Sequence, residues 1–239
     1  MNSFAPNMDI LPLSQKVIWE HLAPSIDLGF VLYGGTALAL RYGHRQSIDF
    51  DFFTDRQLDK DHIYRSFEFM KNADAIQDGE NTLTVLVPIA PNEHPVKVSF
   101  FGGIDFGRVG EPELTDDEVL LVASTDDLMA TKLKVLFDRV ELKDYQDIAA
   151  MIANGVSVAR GLSSARLFYG NFNEMLALKA MTYFKDGDLY KLSKPDKKTL
   201  EKTAAKITEP FPHVELLSHS LSIVVDDDGA GGGMSGGPR

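Results

Sequence analysis

The run SIDFDFF at 47–53 carries two aspartates, Asp49 and Asp51, one residue apart in a pattern that alternates like a strand. Side chains two positions apart on a strand share a face and stand roughly 6 to 7 Å apart. Both carboxylates can then converge on one divalent ion or on an adjacent pair. A hard cation such as Mg²⁺ takes oxygen ligands and is commonly held by one or two carboxylates together with substrate phosphates. An Asp-x-Asp is weak by itself, because the chain also contains DGD at 186–188 and DDD at 226–228. Its upstream context singles it out. Gly34 and Gly35 read as a strand-to-helix turn, where a missing Cβ lets a phosphate approach the backbone, and the helix that follows offers free N–H donors beside the Thr36 hydroxyl. A phosphate cradle and a metal site would thus lie on consecutive elements. The arrangement is neither a Walker loop nor a Rossmann fingerprint. The bland alternative is a tight turn followed by an exposed acidic strand.

The surrounding pattern supplies the elements that must position these groups. Residues 12–23 space Val17, Ile18 and Leu22 as an amphipathic helix would, with Trp19 beside them. GFVLYGG reads as a short buried strand, and TALALRYG as a helix stopped by Gly43. In SIDFDFF, Ile48, Phe50 and Phe52 fall on one face and Asp49, Asp51 and Phe53 on the other. A helix is expected near 56–72, then a hairpin formed by NTLTVLVPI and HPVKVSFFGG, then an acidic connection and the short run EVLLVAS. From Ser124, which with Asp127 fits a helix N-cap, the pattern is dominantly helical, and Leu128, Leu133, Leu136, Ile148, Met151 and Ile152 supply apolar faces. We place a boundary at 123, separating an α/β core at 1–123 from a helical part at 124–225, with a disordered tail at 226–239.

Composition narrows the class. With 239 residues, 44% of them hydrophobic, the chain can bury a sizeable core. No cysteine is present, so disulfides and thiolate metal sites are excluded and a reducing cytoplasm is the expected compartment. Neither a secretory leader nor a membrane span is expected. The net charge of −11 argues against a surface that grips nucleic acid throughout. One local exception is the lysine run at 191–207, with Lys191, Lys194, Lys197, Lys198, Lys202 and Lys206, which reads as a solvated helix face or as a partner-binding patch.

GGTALAL followed by HRQSIDFDFF resembles the first motif of polymerase-beta-type nucleotidyltransferases, and specifically of the AbiEii/AbiGii toxin family. TDDLMATKLKVLFDRVELKDYQDIAAMI is similar to later motifs of that family, and LALKAMTYFKDGDL to a stretch of its C-terminal half. The likeness spans nearly all of the chain except the tail. It implies an α/β (α+β) fold, a small mixed nucleotidyltransferase sheet with flanking helices, followed by a mostly helical half that completes the site. Asp49 and Asp51 would hold the catalytic Mg²⁺ or Mn²⁺, and Gly34, Gly35 and Thr36 would line the triphosphate. Arg45 and Ser47 would support that pocket, Lys132 would contact phosphate or stabilise transferred charge, Asp144 would complete the polar site, and Arg139 and Lys143 would be secondary phosphate contacts. The implied reaction moves a nucleoside monophosphate from a nucleoside triphosphate to an acceptor hydroxyl, with RNA, notably the tRNA 3′ end, as acceptor and a neighbouring antitoxin as partner.

Read without the resemblance, Lys132 and Arg139 share a helix face that could be solvent, Lys143 and Asp147 form an i, i+4 pair that could brace a helix, and His44 is a turn or packing residue. One departure stands out. Many enzymes of this type take a third carboxylate from the neighbouring strand, where VKVSFF has Ser99. Asp105 or Asp144 could supply the missing acid, or the chain could be a silent nucleotide-binding module. A small-molecule transferase acting on an aminoglycoside-like acceptor is a further alternative.

Overall fold

The structure is a computed structural model that describes residues 2–90 and 93–223. The tail expected at 226–239 lies outside the described residues. In chain order the elements are β1 (Ser3–Phe4), α1 (Leu13–Ile18), α2 (Pro24–Asp27), β2 (Val31–Tyr33), α3 (Gly34–Tyr42), β3 (Asp49–Phe53), α4 (Lys60–Ser66), β4 (Asp74–Gly79), β5 (Thr82–Val87), β6 (Val96–Phe101), β7 (Glu113–Thr115), β8 (Leu121–Val122), α5 (Thr125–Asp138), α6 (Leu142–Ala153), α7 (Val158–Phe168), α8 (Glu174–Met181) and α9 (Lys194–Ala204). The strands form one mixed sheet in the order β1-β7-β8-β2-β3-β6-β5-β4. At its centre β3 runs antiparallel to β2 and parallel to β6.

Alternation explains the sheet. Phe50 and Phe52 of β3 are fully buried, as are Val98 and Phe100 of β6, and Phe52 stacks on Phe100 with ring centroids 5.6 Å apart. Phe30 meets Phe52 edge-on at 6.2 Å, closing an aromatic layer under the sheet. The opposite face of the same strands is left to Asp49, Asp51, Lys97 and Ser99. Helices α3, α5 and α6 pack against one another on that side. Ser124 caps α5, accepting from the Asp127 amide as expected, and Gly43 ends α3 in the left-handed conformation.

Several elements differ from expectation, each for a local reason. The helix expected over 12–23 is broken into α1, a 3₁₀ turn at Glu20–Leu22 and α2, with Pro24 opening the last piece. Its buried face runs through Gln15 and Ile18, which leaves Val17 54% exposed. Ile48 is also exposed, because β3 begins only at Asp49. The helix near 56–72 is α4 followed by a 3₁₀ turn at Glu68–Asn72, divided by Phe67 in extended conformation. Strand β4 was not expected, being polar and exposed along its whole length, and β7 hides in the acidic connection.

The last described residues fold back as a strap. The Arg108 amide donates to the Ser218 carbonyl at 2.9 Å, and its guanidinium reaches the Ser220 carbonyl at 2.8 Å. Asp55, just past β3, accepts from the Ser220 hydroxyl and the Leu221 amide. Replacing Phe52 by alanine, which empties the centre of the aromatic layer, is expected to cost about 3–5 kcal/mol of unfolding free energy in a denaturant titration. Buried Trp19 provides the fluorescence signal.

Candidate active site

Helix α3 starts at Gly34, directly after β2 ends at Tyr33, and register sets Tyr33 opposite Asp51, Asp51 opposite Ser99 and Asp49 opposite Lys97. The glycine pair fits between these groups. At Gly34, with φ +77°, a Cβ would lie 2.7 Å from the Asp51 carboxylate. At Gly35 it would lie 2.6 Å from the Arg45 guanidinium and 2.9 Å from the Ser47 hydroxyl. The missing side chains therefore make room for the site's own residues as well as for a ligand. Thr36 is buried and its hydroxyl donates to the Asp49 carbonyl, tying the first turn of α3 to β3. Burial, and next the Asp49 charge, push the Asp51 carboxyl above its ordinary value, while Lys97, a hydrogen bond from Ser99 and Lys132 oppose the rise.

The facing wall is cationic and rests on α6. Asp144 and Asp147 are both fully buried, one turn apart on the helix. Lys132 of α5 bridges them, with Nζ 2.8 Å from Asp144 Oδ1 and 2.6 Å from Asp147 Oδ2. Arg45 grips Asp147 with two hydrogen bonds, at 2.7 and 2.8 Å, and His44 Nε2 lies 2.7 Å from the same carboxylate. Arg139 donates to Asp144 at 3.0 Å. Burial raises the Asp144 and Asp147 carboxyls, but their partners outweigh it: Lys132 and Arg139 hold Asp144, and a hydrogen bond with His44 together with Lys132 and Arg45 holds Asp147, below the ordinary carboxylate range.

Between the walls is a cleft of about 260 Å³. Gly34, Gly35, Arg45, Ser47, Asp49, Asp51, Lys132, Arg139 and Lys143 line it. Thr36 and Asp144 do not, standing one layer behind. Asp105 is exposed and away from it. Asp147, read from sequence as a helix brace for Lys143, instead holds Arg45, His44 and Lys132, and Lys143 pairs with Glu141 at 2.9 Å. Sequence reading also missed Lys97, whose Nζ is 3.0 Å from Asp49 Oδ2. The alternation of VKVSFF could have found it, since Lys97 shares a face with Ser99. Tyr33 and Phe53, stacked at 4.8 Å, add an apolar side to the cleft.

Asp49 and Asp51 present carboxylate oxygens to the cleft, a donor type that suits a hard divalent cation. Among the described residues no group of three or more histidines and acids could hold a metal, so substrate phosphates would have to complete the shell.

The family model for the AbiEii nucleotidyl transferase toxin of type IV toxin–antitoxin systems matches residues 18–215. The chain belongs to the AbiEii family. It is also 29% identical over 174 residues to an uncharacterized protein of Aquifex aeolicus (strain VF5), covering 70% of this chain and 81% of that one. Two Helicobacter pylori crystal structures share its fold at 18% identity: a candidate nucleotidyltransferase (TM-score 0.53, 80% of this chain and 92% of that one) and JHP933 (TM-score 0.54, 80% and 89%). An AbiEii chain is a nucleotidyltransferase, which supports a nucleoside triphosphate substrate and an antitoxin partner. Nucleotidyltransferases of this kind generally use a divalent metal. Among the described residues no helix is long and apolar enough to cross a membrane.

Two outcomes follow for this AbiEii fold. Asp147→Asn leaves Arg45 and Lys132 short of a buried counter-charge and is expected to cost about 3–5 kcal/mol in chemical denaturation. The pH profile of stability has two limbs. The stabilisation from Asp144 and Asp147, whose folded pKa values are lowered, is present above the ordinary value of 3.8 and lost as pH falls through the folded values. Asp127, raised to about 6 chiefly by burial, acts oppositely, and stability is gained as pH falls from above 6 toward 3.8. Melting temperature against pH, followed by Trp19 fluorescence, is expected to rise on mild acidification and to fall below about pH 4. Asp147→Asn should flatten the acid limb.

Proposed function

We propose that this chain transfers a nucleoside monophosphate from a nucleoside triphosphate to a hydroxyl of RNA, with the tRNA 3′ end as the acceptor. The observation that carries this reading is the pairing across one cleft of the Asp49–Asp51 carboxylates with the Arg45, Lys132 and Arg139 cations. Asp49 and Asp51 would hold Mg²⁺ or Mn²⁺, which when bound would neutralise phosphate charge. The backbone amides at Gly34 and Gly35 receive the phosphates at the start of α3. Lys132 and Arg139, fixed by Asp144, meet the charge that grows on the leaving pyrophosphate, and Arg45, fixed by Asp147, holds the triphosphate beside Ser47. Asp144 is therefore assigned to positioning, with Thr36 in the same role toward Asp49, and Lys143 stands at the rim as a secondary phosphate contact. The nucleoside rests on the apolar side at Phe53.

In the step itself the acceptor hydroxyl oxygen bonds to the α-phosphorus as the bond to the bridging oxygen breaks. Pyrophosphate leaves with that electron pair, and a carboxylate of the Asp49–Asp51 pair takes the hydroxyl proton. The unit that does this joins the core at 1–123 to the helical part at 124–225. Support for an RNA acceptor comes from α9, which packs on α6 and exposes Lys194, Lys198 and Lys202. Beside it Lys191 lies over the exposed Tyr190 ring at 5.5 Å, a pairing of cation and aromatic suited to single-stranded nucleic acid.

A second reading, a nucleotide-binding module without turnover, has one observation behind it: Ser99 stands where a third carboxylate is usual, and the acids that line the cleft are Asp49 and Asp51. Incubation with each α-labelled nucleoside triphosphate, Mg²⁺ and total cellular RNA separates the two. Label is expected to enter RNA, and Asp49→Asn/Asp51→Asn to reduce it by at least about 10³-fold. Nucleotide binding with no label transferred to any acceptor supports the silent module instead.

A further inference from the structure

Among the cations that line the cleft, Lys97 is the one whose ion pair is with a proposed metal ligand. Lys132 is buried and bridged by two buried aspartates, so it is held in place. Among the described residues Lys97 has one carboxylate partner, Asp49, at 3.0 Å, and the two side chains are 37% and 29% exposed. Pairs this open to solvent change an equilibrium by a factor of at most about five. A divalent cation can therefore displace such an ammonium, and the flexible four-carbon stem leaves it free to find another anion. The strand register sets Lys97 directly opposite one of the two proposed metal ligands, with Ser99 opposite the other, so β6 gives that face an ammonium and a hydroxyl in place of a further acid.

We propose that Lys97 is a resident counter-ion of the metal site, holding Asp49 while the cleft is empty and passing to the triphosphate when a divalent cation takes that carboxylate. The inference rests on the proposed role of Asp49 and Asp51 as metal ligands. Without nucleotide the displaced ammonium has no phosphate to go to, and metal binding is opposed. With nucleotide present the ammonium gains a new partner as it loses the old one. Metal and nucleotide then favour each other's binding, reciprocally, through one side chain.

Mn²⁺ titrations followed by electron paramagnetic resonance, with and without a non-hydrolysable nucleoside triphosphate analogue, test this on the full chain. Lys97→Ala is expected to bind Mn²⁺ alone about three- to fivefold more tightly than the unaltered protein, and the analogue should then add less to that affinity. Lys97→Arg should restore the original coupling. Mn²⁺ binding by Lys97→Ala that is unchanged or weaker, while Asp51→Asn binds poorly, overturns the role of Lys97 and leaves the metal site standing. Equal Mn²⁺ binding by Asp51→Asn and the unaltered protein overturns the metal site itself, and the inference with it.

Discussion

Two carboxylates buried on one face of α6 cannot stay charged without cations against them, and that requirement organises the site. Asp144 and Asp147 are inaccessible to water, so desolvation alone would neutralise them. Lys132, Arg45 and Arg139 arrive from α5, from the turn after α3 and from the loop before α6, with the His44 ring bonded to Asp147 beside Arg45, and each is held at a fixed place by the bond it makes. Three of these groups line the cleft. The helical half therefore brings Lys132 and Arg139 to the cleft while its two carboxylates stay hidden behind them. A buried network of this kind is poor evidence for stability in itself and good evidence for a geometry that must be kept.

The carboxylate wall is built by a steric constraint. Tyr33, Gly34 and Asp51 meet where β2 turns into α3, and a Cβ at Gly34 or Gly35 would collide with Asp51 or Arg45. The aromatic layer beneath holds β3 and β6 in register, which in turn sets Lys97 and Ser99 beside the acids. The chain carries a net charge of −11, yet the four aspartates in and behind the cleft are met by Arg45, Lys97, Lys132 and Arg139. A triphosphate entering this acidic protein reaches a cleft that does not repel it.

What could be read in the sequence followed the strength of the local signal. The β2–α3–β3 unit has strict alternation, a glycine turn and a helix stop, and it was legible almost to the residue. So were the β5–β6 hairpin and the cap at Ser124. The broken N-terminal helix, the exposed strand β4 and the three-residue β7 were not, because short or polar elements take their form from neighbours distant in sequence. In the cleft, most residues read from motif lie along the lining, Thr36 and Asp144 stand behind it, and Asp147 and Lys97 were misread or missed. Both act through partners far along the chain: Asp147 meets Arg45 across 102 positions, and Lys97 meets Asp49 through strand register.

The strap of residues 217–221 ties together parts of the chain that lie far apart in sequence. The family match stops at 215, yet the segment beyond it supplies hydrogen bonds to Arg108 and to Asp55, four positions after Asp51. The end of β3 just past the Asp-x-Asp pair is thus fastened by residues 165 and 166 positions further along the chain. A chain ended at 215 would keep every residue that lines the cleft and lose those hydrogen bonds.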